Sequence, residues 1–168
     1  SNYKISYYYI DFLGYEWQCA EYVNRYYYEV YGYSSWKGSG NAKDYYTNIP
    51  LKNSDIRAYE NGGSTAPQAG DIIVWDYSSD NKYGHVAIVR EVGSDYIKVI
   101  QQNWGNSPGD SSYKFSMTVS GGQYTVSKPS RGAGSVKGWL RTSRTSNTVY
   151  IIDSNTSAND MVWGSGNT

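Results

Sequence analysis

The hydrophobic period changes once along this chain, and that change limits the fold more than any other feature. Residues 16–31 carry Val23, Tyr26, Tyr27 and Val30 at the spacing of a helix with one apolar stripe, and Gly32 supplies a stop. Residues 33–55 are mixed, with AKDYYTNI (42–49) readable as a short second helix. NGGSTAPQAGD (61–71) is a dense run of turn formers, and beyond it the period becomes that of strands. IIVWDY (72–77), HVAIVREV (85–92) and YIKVIQQNW (96–104) are β-branched and bounded by turn residues. GSD (93–95) between the last two fits a tight hairpin. SYKFSMTV (112–119) and GQYTVSKP (122–129) predict another hairpin, and VKGWLRT (136–142) a closing strand. A helix first and an antiparallel sheet afterwards predict an α+β domain.

The length, 168 residues, is that of one domain with one substantial core. After Thr142 the texture shifts to SRTSNT and then YIIDSNTSANDMVWGSGNT. The expected organisation is therefore a folded domain at 1–142 and, at 143–168, a linker or tail, or the start of a truncated second domain. Fifteen basic and fifteen acidic residues cancel, which gives no reason to expect nucleic acid or an anionic membrane as partner. No apolar run approaches the roughly 18 residues a membrane span needs. The first residues, SNYKISYYYIDF, lack the pattern of a signal peptide, as in a mature or trimmed chain or one never exported. Twenty Tyr and six Trp stand against two Phe. Such rings fill half-buried sheets, and they equally suit a groove that stays wet.

The chain has one cysteine, Cys19, and one histidine, His85. A single cysteine rules out an intrachain disulfide and a cysteine-only zinc site. One Cys and one His are also the minimum equipment for thiol nucleophilic catalysis, in which the imidazole takes the thiol proton and the thiolate attacks a carbonyl. Cys19 falls at the start of the predicted helix, where the macrodipole and unpaired N–H groups lower a thiol pKa. The same N–H groups suit an oxyanion hole. A packed, inert cysteine is the competing reading.

A third polar group must hold the imidazole in the right tautomer. A three-residue loop at 93–95 places His85 opposite Asn103, with Gln101 on the same face one diagonal step away. A one-residue slip would bring Trp104 there instead. An Asn carbonyl can accept from the ring N–H and fix its orientation.

Four blocks, Cys19 within YEWQCAEYVN, AGDIIVW (69–75), YGHVAIV (83–89) and IQQNWG (100–105), together resemble the CHAP domain. These are cysteine, histidine-dependent amidohydrolases/peptidases of papain-like fold, many of which cut bacterial peptidoglycan. The resemblance runs from about residue 14 to the strand around Gly138-Trp139-Leu140. It implies Cys19 as nucleophile on an N-terminal helix packed on an antiparallel sheet, and His85 as base. The family's third position is Glu, Asp or Asn, often in a Glu-Gln-Asn run; here the run is Gln101-Gln102-Asn103. A neutral amide orients a histidine but stabilises an imidazolium less than a carboxylate does, which leaves Asn103 as the expected orienting group. Asp71 matches the family's Gly-Asp before the central strand and is expected to organise that turn. Gln18 and Tyr15 are candidate oxyanion donors, and Trp104 a substrate contact. Some relatives carry a calcium loop ahead of the cysteine. Asp11 and Glu16 are too few for calcium's six to eight oxygens, so neither metal nor other cofactor is expected.

The expected function is hydrolysis of an amide bond in the peptide part of peptidoglycan, either the N-acetylmuramoyl-L-alanine bond or one within the stem or cross-bridge. The enzyme would be a monomer, part of a longer chain, secreted or wall-associated, with its aromatic surroundings (Trp17, Trp75, Tyr83, Trp104) lining a groove or a core. WQCAEYV also looks similar to the nucleophile motif of glutathionylspermidine amidases. From another class, the same scaffold can serve as a non-catalytic wall-binding or adhesion module.

Overall fold

The computed structural model describes residues 9–10, 14–15, 18–34, 36, 39–101 and 112–146. Two short strands, β1 (Tyr9–Ile10) and β2 (Gly14–Tyr15), pair antiparallel ahead of helix α1 (Cys19–Tyr31). Gln18 caps α1 in an extended conformation, so Cys19 is its first residue. Gly32 ends it at φ 70°, donating its N–H towards Tyr27 O and Tyr28 O in the left-handed conformation that glycine adopts without strain. A single 3-10 turn (Ala42–Asp44) leads into α2 (Tyr45–Lys52), matching the expected second short helix.

Seven strands follow: β3 (Ile56–Glu60), β4 (Ile72–Trp75), β5 (His85–Val92), β6 (Tyr96–Ile100), β7 (Ser112–Ser120), β8 (Gln123–Val126) and β9 (Val136–Thr142). They form one antiparallel sheet in the order β3-β9-β4-β5-β6-β7-β8. The architecture is α+β, as expected. Strand β9 does not close the sheet at an edge: it inserts between β3 and β4. The edge partner it needs, β3, gives no sequence signal because only Ile56 of its five residues is buried.

Helix α1 covers one face of the sheet. Its stripe of Tyr22, Val23, Tyr27 and Val30 packs on Ile72, Val74, Val86, Ile88 and Leu140. The opposite face buries Ile73, Trp75, Ala87, Val89, Val99, Phe115 and Trp139. Because β4 and β5 are buried on both faces, they read as continuous apolar runs rather than as alternation. The tyrosines justify their number here. Tyr27 sits among Tyr31, Trp36 and Tyr33 at ring separations of 5.0, 5.1 and 5.8 Å, and its hydroxyl donates to Gly70 O at 2.7 Å.

The hairpin that sets the site differs from expectation twice, and the two differences cancel. Gly93 N–H donates to Tyr96 O at 2.8 Å and Val92 pairs with Ile97, so the turn is Ser94-Asp95 and not 93–95. A bulge between Val89 and Glu91 then takes up one residue of β5. Beyond it Val89 pairs with Val99 and Ile88 with Ile100, which is the register expected at the His85 end.

Candidate active site

His85 opens β5, paired with Trp75 across the sheet and immediately after Gly84. Gly84 has φ +71°, and a Cβ there would lie 2.5 Å from Trp75 O and 2.7 Å from Lys43 Cβ. The YGH sequence is thus required by the backbone: only glycine allows the chain to turn this tightly into the histidine. The imidazole is 2 % exposed, with the Trp75 ring 5.5 Å away behind it.

His85 Nε2 lies 2.9 Å from Gln101 Oε1. An amide oxygen only accepts, so Nε2 carries the ring proton and Nδ1 keeps the lone pair. Gln101 is itself 2 % exposed, one residue past the end of β6. Its Nε2 has no hydrogen-bond partner among the described residues. The diagonal neighbour therefore orients the imidazole. Asn103 and Trp104 lie outside the described residues, as do Glu16 and Trp17.

Cys19 reaches the same corner from the other side. It packs at the margin of the α1 core, and the backbone N–H groups of Val86, Ala20 and Cys19 itself bear on its sulfur. Val86 is the residue next to His85, so the helix start and the strand start meet here. The expectation of a lowered thiol pKa is not met. Burial pushes the Cys19 thiol up from its ordinary value, and the three N–H groups oppose that without overcoming it. Burial likewise pushes His85 down, to about 4, with the Gln101 hydrogen bond pulling the other way. Each group taken singly is neutral at rest. A proton passed from sulfur to imidazole would create two charges of opposite sign at once, each of which burial disfavours when it forms alone.

The buried neutral histidine has a consequence for acid stability. Its folded-state pKa lies below the ordinary 6.5, so between pH 6.5 and about 4 the unfolded chain binds the extra proton. Stability from this group is complete above pH 6.5 and declines by about 3 kcal/mol as pH falls to about 4. Urea unfolding across this range should show that slope, and His85→Leu should flatten it. An equal slope in both proteins would place the sensitivity elsewhere.

Gln101 gives a sharper handle. Gln101→Glu replaces the orphaned NH2 with a second carboxylate oxygen and sets a negative charge beside Nε2–H. The His85 pKa is expected to rise by at least about one unit, and the acid limb of kcat/KM to shift with it. Because the chain has one histidine, its ring signals report this directly by NMR titration. An unmoved pKa would mean that Gln101 does not govern the ring.

The other expected residues are placed less completely. Gln18 is part-buried at the helix cap and makes no side-chain cap bond. Tyr15 contributes backbone to β2. Trp75 is core, whereas Tyr83 is 54 % exposed. Asp71 does organise its turn, accepting from Gln68 N–H at 2.8 Å and from Arg141 through both carboxylate oxygens.

The model of the CHAP domain family matches residues 10–103, more than half of the sequence and all of the corner just described. The chain belongs to the CHAP domain family. CHAP is a papain-like cysteine peptidase/amidase domain, and this domain is a hydrolase of that type. The bifunctional glutathionylspermidine synthetase/amidase of Escherichia coli (strain K12) is 29 % identical over 171 residues, covering 94 % of this chain and 27 % of the relative. Trypanothione synthetase of Crithidia fasciculata is 28 % identical over 116 residues, covering 64 % of this chain and 17 % of the relative. The chain thus spans about a quarter or less of these curated relatives. Among solved structures, that of Ly7917 covers 76 % of this chain and 54 % of its own at 17 % identity and TM-score 0.48. The endolysin LysIME-EF1 covers 82 % and 57 % at 18 % identity and TM-score 0.46.

Proposed function

We propose that this CHAP domain hydrolyses an amide bond in the peptide part of bacterial peptidoglycan, through a thioester on Cys19. The observation that carries the reading is the His85–Gln101 hydrogen bond beside a cysteine at a helix start. Gln101 holds Nε2–H, which leaves Nδ1 as the base. Nδ1 takes the thiol proton, and the thiolate adds to the substrate carbonyl. The oxyanion that forms is met by N–H groups at the start of α1, with Gln18 as a candidate side-chain donor. The imidazolium then gives its proton to the leaving amine, and a water activated by the same nitrogen hydrolyses the thioester. Such an enzyme meets its substrate outside the membrane, and a single free thiol with no crosslink is compatible with that.

The test is digestion of purified sacculi of differing stem and cross-bridge chemistry, with released fragments identified by mass spectrometry. New amine termini expected from the wild-type chain should be missing with Cys19→Ser. Intact sacculi after prolonged digestion would overturn the reading.

A second reading keeps the chemistry and changes the substrate to a glutathione–spermidine amide. The Escherichia coli relative, aligned along 94 % of this chain, favours it. Hydrolysis of the soluble conjugate with no release from sacculi would establish this reading over the first.

A further inference from the structure

We infer that Asn81 is a positioning residue for the proposed reaction: its side-chain amide fixes the Gly84–His85 peptide and, through it, the place of the imidazole against Cys19. The inference rests on the reading of Cys19 and His85 as a hydrolytic pair and names what holds one member of that pair in place.

The need for such a residue follows from where His85 sits. It is the first residue of β5, and its partner Trp75 is the last of β4, so the ladder supports it from the downstream side only. Strand β6 gives no backbone pair at this point, since its pairing with β5 starts at Ile88. Upstream, the chain enters through Gly84 at φ +71°, a conformation that glycine adopts freely and that imposes no direction of its own. The Gln101 hydrogen bond sets the rotation and tautomer of the ring, but not the peptide that carries it. Val86 N–H, one residue on, bears on the Cys19 sulfur, so a shift of the strand start changes the distance the proton must cross.

Asn81 supplies the missing constraint. Its Nδ2 donates at 3.0 Å to Gly84 O, the carbonyl of the peptide bond that leads into His85, and at 2.8 Å to Gly132 O. Its Oδ1 accepts from Tyr83 N–H at 3.0 Å. Both donors and the acceptor of the amide are therefore engaged by backbone. Asn81 is itself held in a tight turn, exchanging backbone hydrogen bonds with Ser78 and donating its N–H to Ser78 Oγ at 3.1 Å. Gly132 is a firm anchor. Its N–H donates to Asp80 Oδ2 at 2.9 Å, its neighbour Ala133 is 1 % exposed within the core, and Gly134 N–H donates to Asp76 O at 2.8 Å. One side chain thus ties the entry to His85 to the connection between β8 and β9, which is locked into the core.

The experiment follows alkylation of Cys19 by iodoacetamide against pH in the wild-type chain, His85→Ala, Asn81→Ala, Asn81→Ser and Asp80→Ala. Salt is kept at about 0.5 M, where surface charge is screened. Asp80 holds Gly132 but makes no bond to Gly84, so its variant reports what loosening the loop does alone. In Asn81→Ala the profile is expected to move by about half a pH unit or more towards that of His85→Ala, and amine release from sacculi to slow about tenfold. Asn81→Ser, the milder change, should move the profile in the same direction by less. Asp80→Ala should leave it where it is. Profiles of both Asn81 variants that match the wild type, whatever their Tm, overturn the positioning role and leave the hydrolytic pair standing. Equal shifts in Asp80→Ala and Asn81→Ala assign the effect to the loop as a whole and overturn it too. A wild-type profile that His85→Ala does not move overturns the pair, and the positioning role with it.

Discussion

Cys19→Ala is expected to lower amide hydrolysis by about 10^4-fold or more, with a loss of stability of no more than about 1–2 kcal/mol. The asymmetry follows from where the sulfur sits. It is part-exposed at the end of a helix whose buried stripe begins three residues later at Tyr22, so removing one atom leaves the α1 packing intact. The chemistry has no substitute nucleophile, since the chain holds no other cysteine. His85→Ala should cost a similar factor, and the double variant little more than either alone, because the two act through one shared proton. On the proposed mechanism the same coupling is expected to show without substrate. Burial holds the Cys19 thiol above its ordinary pKa, so in the proposed mechanism thiolate at neutral pH depends on His85 accepting the proton. Iodoacetamide alkylation should therefore move to higher pH in His85→Ala. A pH profile indifferent to His85 would show that the two groups do not exchange a proton.

The parts of the fold legible in the sequence are those whose burial is one-sided or complete. The α1 stripe and the apolar runs of β4 and β5 could be read directly, because helix period and β-branched continuity follow from what each face touches. Strand β3 could not, since its stabilisation comes from pairing with β9 and only Ile56 of its five residues is fully buried. The proposed pair, Cys19 and His85, could be singled out because each residue type occurs once. The orienting group was harder. Register arithmetic put Gln101 and Asn103 forward as neighbours of His85, and the family pattern turned the expectation towards Asn103. The structure puts Gln101 on the imidazole, while Asn103 lies outside the described residues. That the arithmetic held depended on a turn one residue shorter and a bulge one residue longer than expected, and a bulge at Arg90 has no composition to announce it. The thiol pKa was misread for a related reason. Helix position is a sequence property, but desolvation is a property of the packed corner, and here desolvation is the larger effect.

The largest effect on the fold is expected at Asp71, a residue that never touches the reacting groups. Its carboxylate is 1 % exposed and takes Arg141 Nε and Nη2 at 2.9 and 2.7 Å, while Arg141 Nη2 also donates to Ala66 O. The turn this closes is stitched to three elements. Gly70 O accepts from Tyr27 of α1, Gly70 N–H and Val89 O join it to β5, and Arg141 belongs to β9. Asp71→Ala strands a half-buried guanidinium and frees the turn, for a loss of about 3–5 kcal/mol, or roughly 10–15 °C in Tm at this chain length. The stacked Tyr59 ring, 4.9 Å from the guanidinium, is too weak to compensate. Asp71→Asn keeps an acceptor for Gln68 N–H and should lose about half as much. At temperatures where both variants stay folded, kcat/KM should remain within a few-fold of wild type, because β5 still delivers His85 through its pairing with β4. A Tm change below about 3 °C for Asp71→Ala would mean that the ion pair does not hold the turn. A collapse of kcat/KM in a folded variant would mean that the turn also positions the corner where α1 meets β5.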